Sequence, residues 1–193
     1  DVPRIHKMGC RDWAKVVTKA KKSIDDLADK LVEIYAQREI TEGFAFLPDQ
    51  PWQQEFEDAF PYEETEDQLQ ATAEIKASME KPVPMDRLLA GDVGFGKTEV
   101  AMRAIFKAVM SGKQVAVLVP TTVLAQQHFQ TFWNRFAPFG VKVDVLNRFR
   151  STSEKKQVLK GVEDGSIDVL IGTHSLLNKK VVFKDLGMLV VDE

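Results

Sequence analysis

One cysteine, two tyrosines and three histidines are all that this 193-residue chain contains of those types. A lone Cys10 cannot close an internal disulfide, and no Cys/His cluster has the spacing of a zinc site. No apolar run approaches the ~18 residues of a membrane span, and no secretory leader is expected before the charged start. Internal repeats and low-complexity tracts are also missing. These absences leave a reducing cytoplasm as the expected setting. What is present is 44% apolar and 28% charged, enough for one globular domain with an appendage. The chain starts at Asp1 and stops after Val190-Val191-Asp192-Glu193, so a piece of a longer protein is expected.

A net charge of −3 conceals a division. Residues 1–48 carry 9 Lys/Arg against 8 Asp/Glu, residues 49–80 carry 1 against 10, and residues 81–193 carry 16 against 11. The last part is basic and permits a polyanionic partner, although a solvated surface also accounts for it. The acidic stretch reads as a solvated face or as a shield over a basic surface.

Residues 12–39 lack Pro and Gly, and Trp13, Val17, Ala20, Ile24, Leu27, Leu31 and Ile34 recur by threes and fours. That spacing predicts a long helix whose stripe packs on its own domain or serves a projecting arm. Gly43, Pro48 and Pro51 interrupt regular structure, so 40–58 reads as a connector. From 59 onward helix and strand patterns alternate. Helices are expected at 66–79, 98–111 and 122–136, and after the capping box Ser151-Thr152-Ser153-Glu154. Apolar strands are expected at 87–90, 114–120, 141–145, 167–171 and 188–191. Such alternation calls for a parallel sheet with helices on both faces.

Between the expected strand 87–90 and the helix from 98 lies GDVGFGKT at 91–98, which fits the phosphate-loop pattern with Gly91, Gly96, Lys97 and Thr98 in the fixed places. Gly91, Gly94 and Gly96 let the backbone of Asp92, Val93 and Phe95 wrap an anion in conformations a Cβ would forbid. Lys97 offers a charge to the β- and γ-phosphates, and the Thr98 hydroxyl a ligand to Mg²⁺. A glycine-rich turn before a core helix is the plainer alternative.

Ligands of such sheets collect at the carboxyl ends of the strands. Thr121, Thr173-His174 and Asp192-Glu193 all fall there. Asp192 is placed to hold Mg²⁺, and Glu193 to activate water as a general base. Here the residues resemble a known family. PTTVLAQQH at 120–128, NRFRS at 147–151, GTHSLL at 172–177 and VVDE at 190–193 look like successive motifs of superfamily 2 DNA helicases and translocases. FPYEETEDQ at 60–68 and MDRLLAGDVGFGKTEVA at 85–101, with the long helix, IYAQRE and GFAF before them, resemble the bacterial transcription-repair coupling factors within that superfamily.

The resemblance implies a RecA-like P-loop NTPase lobe at 59–193 with a helical N-terminal extension at 1–58. ATP and Mg²⁺ are the implied cofactors. Catalytic roles fall to Lys97, Asp192 and Glu193, and metal binding to Thr98 and Asp192. Gln68 matches the family's adenine-reading glutamine, with Phe60 or Tyr62 as the stacking ring. Thr121, Gln126, Arg148, Arg150, Thr173 and His174 match segments that face the DNA backbone, although Arg148 and Arg150 also suit plain surface charges. His128, with Phe129, Phe132 and Phe136, reads as helix core. Such a parent would walk on double-stranded DNA, displace stalled RNA polymerase and engage the excision-repair machinery. The lobe alone is expected to turn over ATP poorly. A fork or junction helicase, or a nucleotide-stabilised interaction module, are the rival readings.

Overall fold

The computed structural model describes residues 11–192, with side chains from Trp13, so Cys10 and Glu193 lie outside the described residues. Two compact units divide the chain, one ending at Gly43 and the other running from Phe44. In the first, α1 spans Arg11–Ile40, and Ile24, Leu27, Leu31 and Ile34 of its apolar stripe are exposed.

Residues 44–58, expected in a connector, belong instead to the second unit. Pro51 opens α2 (Pro51–Asp58) at a position where its missing N–H is no loss. Phe56 of α2 is fully buried and stacks on Phe106 with ring centroids 4.3 Å apart. Just before it, the Phe46 N–H donates to the Met79 carbonyl. An eight-residue helix is short enough to hide between turn signals, but its one buried aromatic commits the segment to the core.

The rest of the unit is built from α3 (Glu66–Met79), α4 (Lys97–Met110), β1 (Gln114–Leu118), α5 (Thr122–Phe136), β2 (Val143–Leu146), α6 (Thr152–Asp164), β3 (Val169–Gly172) and β4 (Leu186–Val191). The four strands are parallel, in the order β2-β3-β1-β4. Alternation along the strands sends side chains to two cores. Val115, Val117, Val143, Val145, Val169 and Ile171 meet Ile105, Phe106, Phe132 and Phe136 on one face. Leu146 and Leu170 meet Val158 and Val162 of α6 on the other. Helices therefore cover both faces of a parallel sheet, as the alternation required.

Local signals place the ends. Thr65 caps α3 and Ser151 caps α6, each in a reciprocal capping box, and Gly165 closes α6 at φ +81°. The strand expected at 87–90 does not form. Met85 and Leu89 lean on the core while Leu88 is 90% exposed, and the segment pairs with no strand among the described residues. An extended segment becomes a strand only through a ladder, and among the described residues β4 pairs with β1 alone.

Candidate functional site

Parallel pairing brings the carboxyl ends of all four strands to one edge. Leu118 stands level with Gly172 and Val191, and Gly172 level with Leu146. Asn147, Thr173 and Asp192 follow these positions directly, and Thr121 comes three residues after Leu118. Helix α4, which the loop opens, packs on β1 and β4.

The loop at 91–98 is exposed up to Phe95 and dives inward from Gly96. Gly94 and Gly96 sit at φ +85° and +71°, in the left-handed region that glycine tolerates without strain. At Gly96 a Cβ would stand 2.4 Å from Gln68 Nε2, so that side chain would have to shift in addition to the strain of the positive φ. Gly96 also starts α4, its carbonyl accepting from the Glu99 and Val100 N–H groups. The Lys97 ammonium turns back over the loop and donates to the carbonyls of Gly91 at 2.6 Å and Asp92 at 2.7 Å. A cation held over a glycine cradle at a helix N-terminus is a donor set suited to phosphate.

Gln68 reaches this cradle from α3. Its Oε1 accepts from the Thr65 N–H, and its Nε2 donates to the Phe95 carbonyl at 2.9 Å. The two candidate rings differ sharply. Phe60 is half-buried, with the Arg103 guanidinium 5.5 Å from its centroid, whereas Tyr62 is 73% exposed.

Behind the loop lies a buried ionic network that sequence reasoning missed. Glu99 accepts from Arg103 at 3.2 Å and from Arg135 at 2.9 Å. Arg103 also pairs with Glu64 at 2.8 Å, and Arg135 donates to the Phe56 carbonyl. The hydrogen bond from Arg103 holds the Glu64 carboxyl below its usual range. Lys107, one helical turn further, is buried and donates to the Leu47 carbonyl, Asp49 and Glu80, each at 2.7 Å. Three acids of the acidic stretch, Asp49, Glu64 and Glu80, are thus paired with α4. Nothing local announced this, because every partner but Glu99 to Arg103 is distant in sequence.

At the strand ends, Thr121 caps α5 by accepting from the Leu124 N–H, which leaves its hydroxyl hydrogen for another acceptor. Gln126 accepts from Asn147 at 3.2 Å. Asn147 is buried, and its Oδ1 accepts from the N–H groups of Phe149 and Arg150, fixing the turn after β2. The two arginines of that turn part company. Arg150 pairs with Asp144 at 2.5 Å and with Glu154 at 3.7 Å, while exposed Arg148 lies over the exposed Phe149 ring. Thr173 precedes a short turn of helix at His174–Leu177, and His174 is exposed.

Asp192 extends the β4 ladder through its N–H to the Leu118 carbonyl, and its Oδ2 lies 2.6 Å from His128 Nε2. His128, expected to be core, thus faces a site residue. Among the described residues no cluster of three or more His, Cys, Asp or Glu could hold a metal, and no helix is long and apolar enough to cross a membrane.

Comparison with known proteins agrees with this geometry. Residues 65–193 match the DEAD/DEAH box helicase family. Over 191 residues, 99% of the chain, it is 54% identical to the transcription-repair-coupling factor of Bacillus subtilis (strain 168). The same span is 55% identical to that of Mycobacterium tuberculosis (strain CDC 1551 / Oshkosh). In both cases it spans 16% of the relative's length. The structure of RecG bound to a three-way DNA junction superposes with a TM-score of 0.79 at 39% identity, covering 83% of this chain and 22% of that one. A RecA-like α/β lobe with a phosphate loop, matched over more than half its residues, places this chain in the DEAD/DEAH box helicase family.

Proposed function

We propose that the chain is the nucleotide-binding first lobe of a cytoplasmic, ATP-driven double-stranded DNA translocase that displaces stalled RNA polymerase and couples transcription to excision repair. The observation that carries this reading is the placement of the glycine cradle, Lys97, Gln68 and Asp192 on one parallel sheet and its helices. The names of the relatives support the choice of partners. The rival reading, a junction helicase, takes its support from RecG, which is less similar than the coupling factors.

In this reading ATP sits on the loop from Gly91 to Thr98. The Lys97 ammonium exchanges its two carbonyl partners for β- and γ-phosphate oxygens, which are better acceptors because they are charged. The Thr98 hydroxyl and the Asp192 carboxylate would hold Mg²⁺, which would neutralise charge on the phosphates. Glu193 orients the attacking water. Gln68 reads the adenine edge, and Tyr62 rather than Phe60 offers the open ring face, since Arg103 already lies against Phe60. Thr121, Gln126, Arg148, Thr173 and His174 line the strand-end edge and take DNA phosphates. Such contacts hold a duplex without reading its sequence.

Titration with a fluorescent ATP analogue tests the core of the proposal. Lys97→Ala should weaken binding by about 1.5–3 kcal/mol, the worth of a charge-assisted hydrogen bond. Equal affinity in the two proteins would remove the loop from the site.

A further inference from the structure

His128 is the one histidine of the chain that the sequence consigned to the core, yet its imidazole ends at a site carboxylate. Two contacts fix it. The ring packs edge-on against Phe132, with centroids 5.6 Å apart, and its side chain is only 12% exposed. Its Nε2 meets Asp192 Oδ2 at 2.6 Å, and Nε2 is the donor because a carboxylate only accepts. Asp192 is otherwise the loose end of β4. Its backbone is held by the Leu118 carbonyl, but its side chain is 37% exposed and would sample several rotamers without a partner.

We propose that His128 is a positioning residue for Mg²⁺, holding Asp192 Oδ2 so that Oδ1 faces the cation of the bound nucleotide. The inference rests on the reading of Asp192 as the magnesium-side carboxylate. A carboxylate has two oxygens and several lone pairs, so a hydrogen bond to one oxygen leaves the other for a metal. Partners behind a metal ligand orient it, and their loss costs metal affinity although they never touch the ion. His128 belongs to α5, which Thr121 caps and which also carries Gln126. One hydrogen bond therefore joins the helix at the DNA-facing edge to the nucleotide side of the sheet.

The test measures binding of a fluorescent ADP analogue as a function of Mg²⁺ concentration, without turnover. Wild type, Asp192→Asn, His128→Ala and His128→Gln are compared. Gln places an amide Nε2 near the imidazole Nε2, so it preserves the donor. His128→Ala should raise the Mg²⁺ concentration needed for tight binding about tenfold. Metal-free affinity should stay unchanged, and His128→Gln should recover most of the loss. If Asp192→Asn leaves the Mg²⁺ dependence unaltered, the reading of Asp192 itself fails. A shift in Asp192→Asn with none in His128→Ala would overturn the positioning role alone. Should His128→Ala not fold, the wild-type imidazole ¹⁵N signals decide. Adding Mg²⁺ to the ADP-bound protein should move those of His128 and not those of His174, and a silent His128 would overturn the proposal.

Discussion

Thr98 and Glu99 are neighbours, but they divide the molecule into two regimes. Up to Phe95 the loop is exposed, with Val93 at 93%. From Glu99 to Ala108 nearly every residue of α4 is buried, including Glu99, Arg103 and Lys107, each under 10% exposed. One side keeps its polar groups available for a ligand. The other has committed even its charges to the fold. The pattern recurs at Arg148 and Arg150, and at Tyr62 and Phe60. In each pair one member is engaged by charged partners and the other stands more exposed.

The sharpest way to break this comparison is to mutate across the boundary and measure unfolding. Glu99→Ala leaves two arginines that shared one buried carboxylate, and truncating one partner of a buried ion pair typically costs about 3–5 kcal/mol. Val93→Ala should stay within about 0.5 kcal/mol. Chemical denaturation of the three proteins decides. Comparable midpoints for Glu99→Ala and wild type would mean that the network is ornamental and the division false.

A smaller effect follows from acid. Burial pushes the Asp49 carboxyl up, but hydrogen bonds and charge from Lys107 and Lys76 outweigh it and leave the group below its ordinary value of 3.8. Glu64, hydrogen-bonded by Arg103, also lies below its ordinary value of 4.5. A depressed carboxylate contributes stability that is full above its unfolded pKa and lost as pH falls through the folded one. Stability should therefore decline on acidification from roughly pH 5 to pH 3, and Asp49→Asn should flatten that decline. Parallel profiles for variant and wild type would place the acid sensitivity elsewhere.

How much of this was legible in sequence depends on the reach of each interaction. The capping boxes at Thr65 and Ser151 and the left-handed Gly165 are local, and the residues themselves declare them. The apolar runs of β1 and β3 are likewise visible, since both faces are buried. Arg87-Leu88-Leu89-Ala90 looks the same as those strands, yet whether it pairs is decided by a distant sheet edge. Helix α2 was hidden for the converse reason, its proline and short length reading as a break. In the loop, the glycine pattern announced the backbone shape at Gly94 and Gly96, which take positive φ, but not at Gly91, which does not. The His128 contact with Asp192 and the Glu99 network were not legible, because polar residues on an apolar stripe do not name their partners.

The two arginines after β2 offer the finest test of the comparison. Both were expected to meet DNA, but Arg150 is held by Asp144 and Glu154, and only Arg148 stands exposed beside Phe149. A guanidinium already neutralised by two carboxylates gains little from a phosphate, and few counterions leave when it binds. Arg148→Ala should therefore weaken duplex binding uniformly across sequences and lower the slope of log K against log salt by about 1. Arg150→Ala should change that slope by less than half as much, while loosening the turn that Asn147 fixes. Fluorescence anisotropy on two unrelated duplexes over a series of salt concentrations separates these outcomes. Equal slope changes for the two variants would show that Arg150 leaves its carboxylates when DNA arrives, and the division between committed and available residues would not extend to this edge.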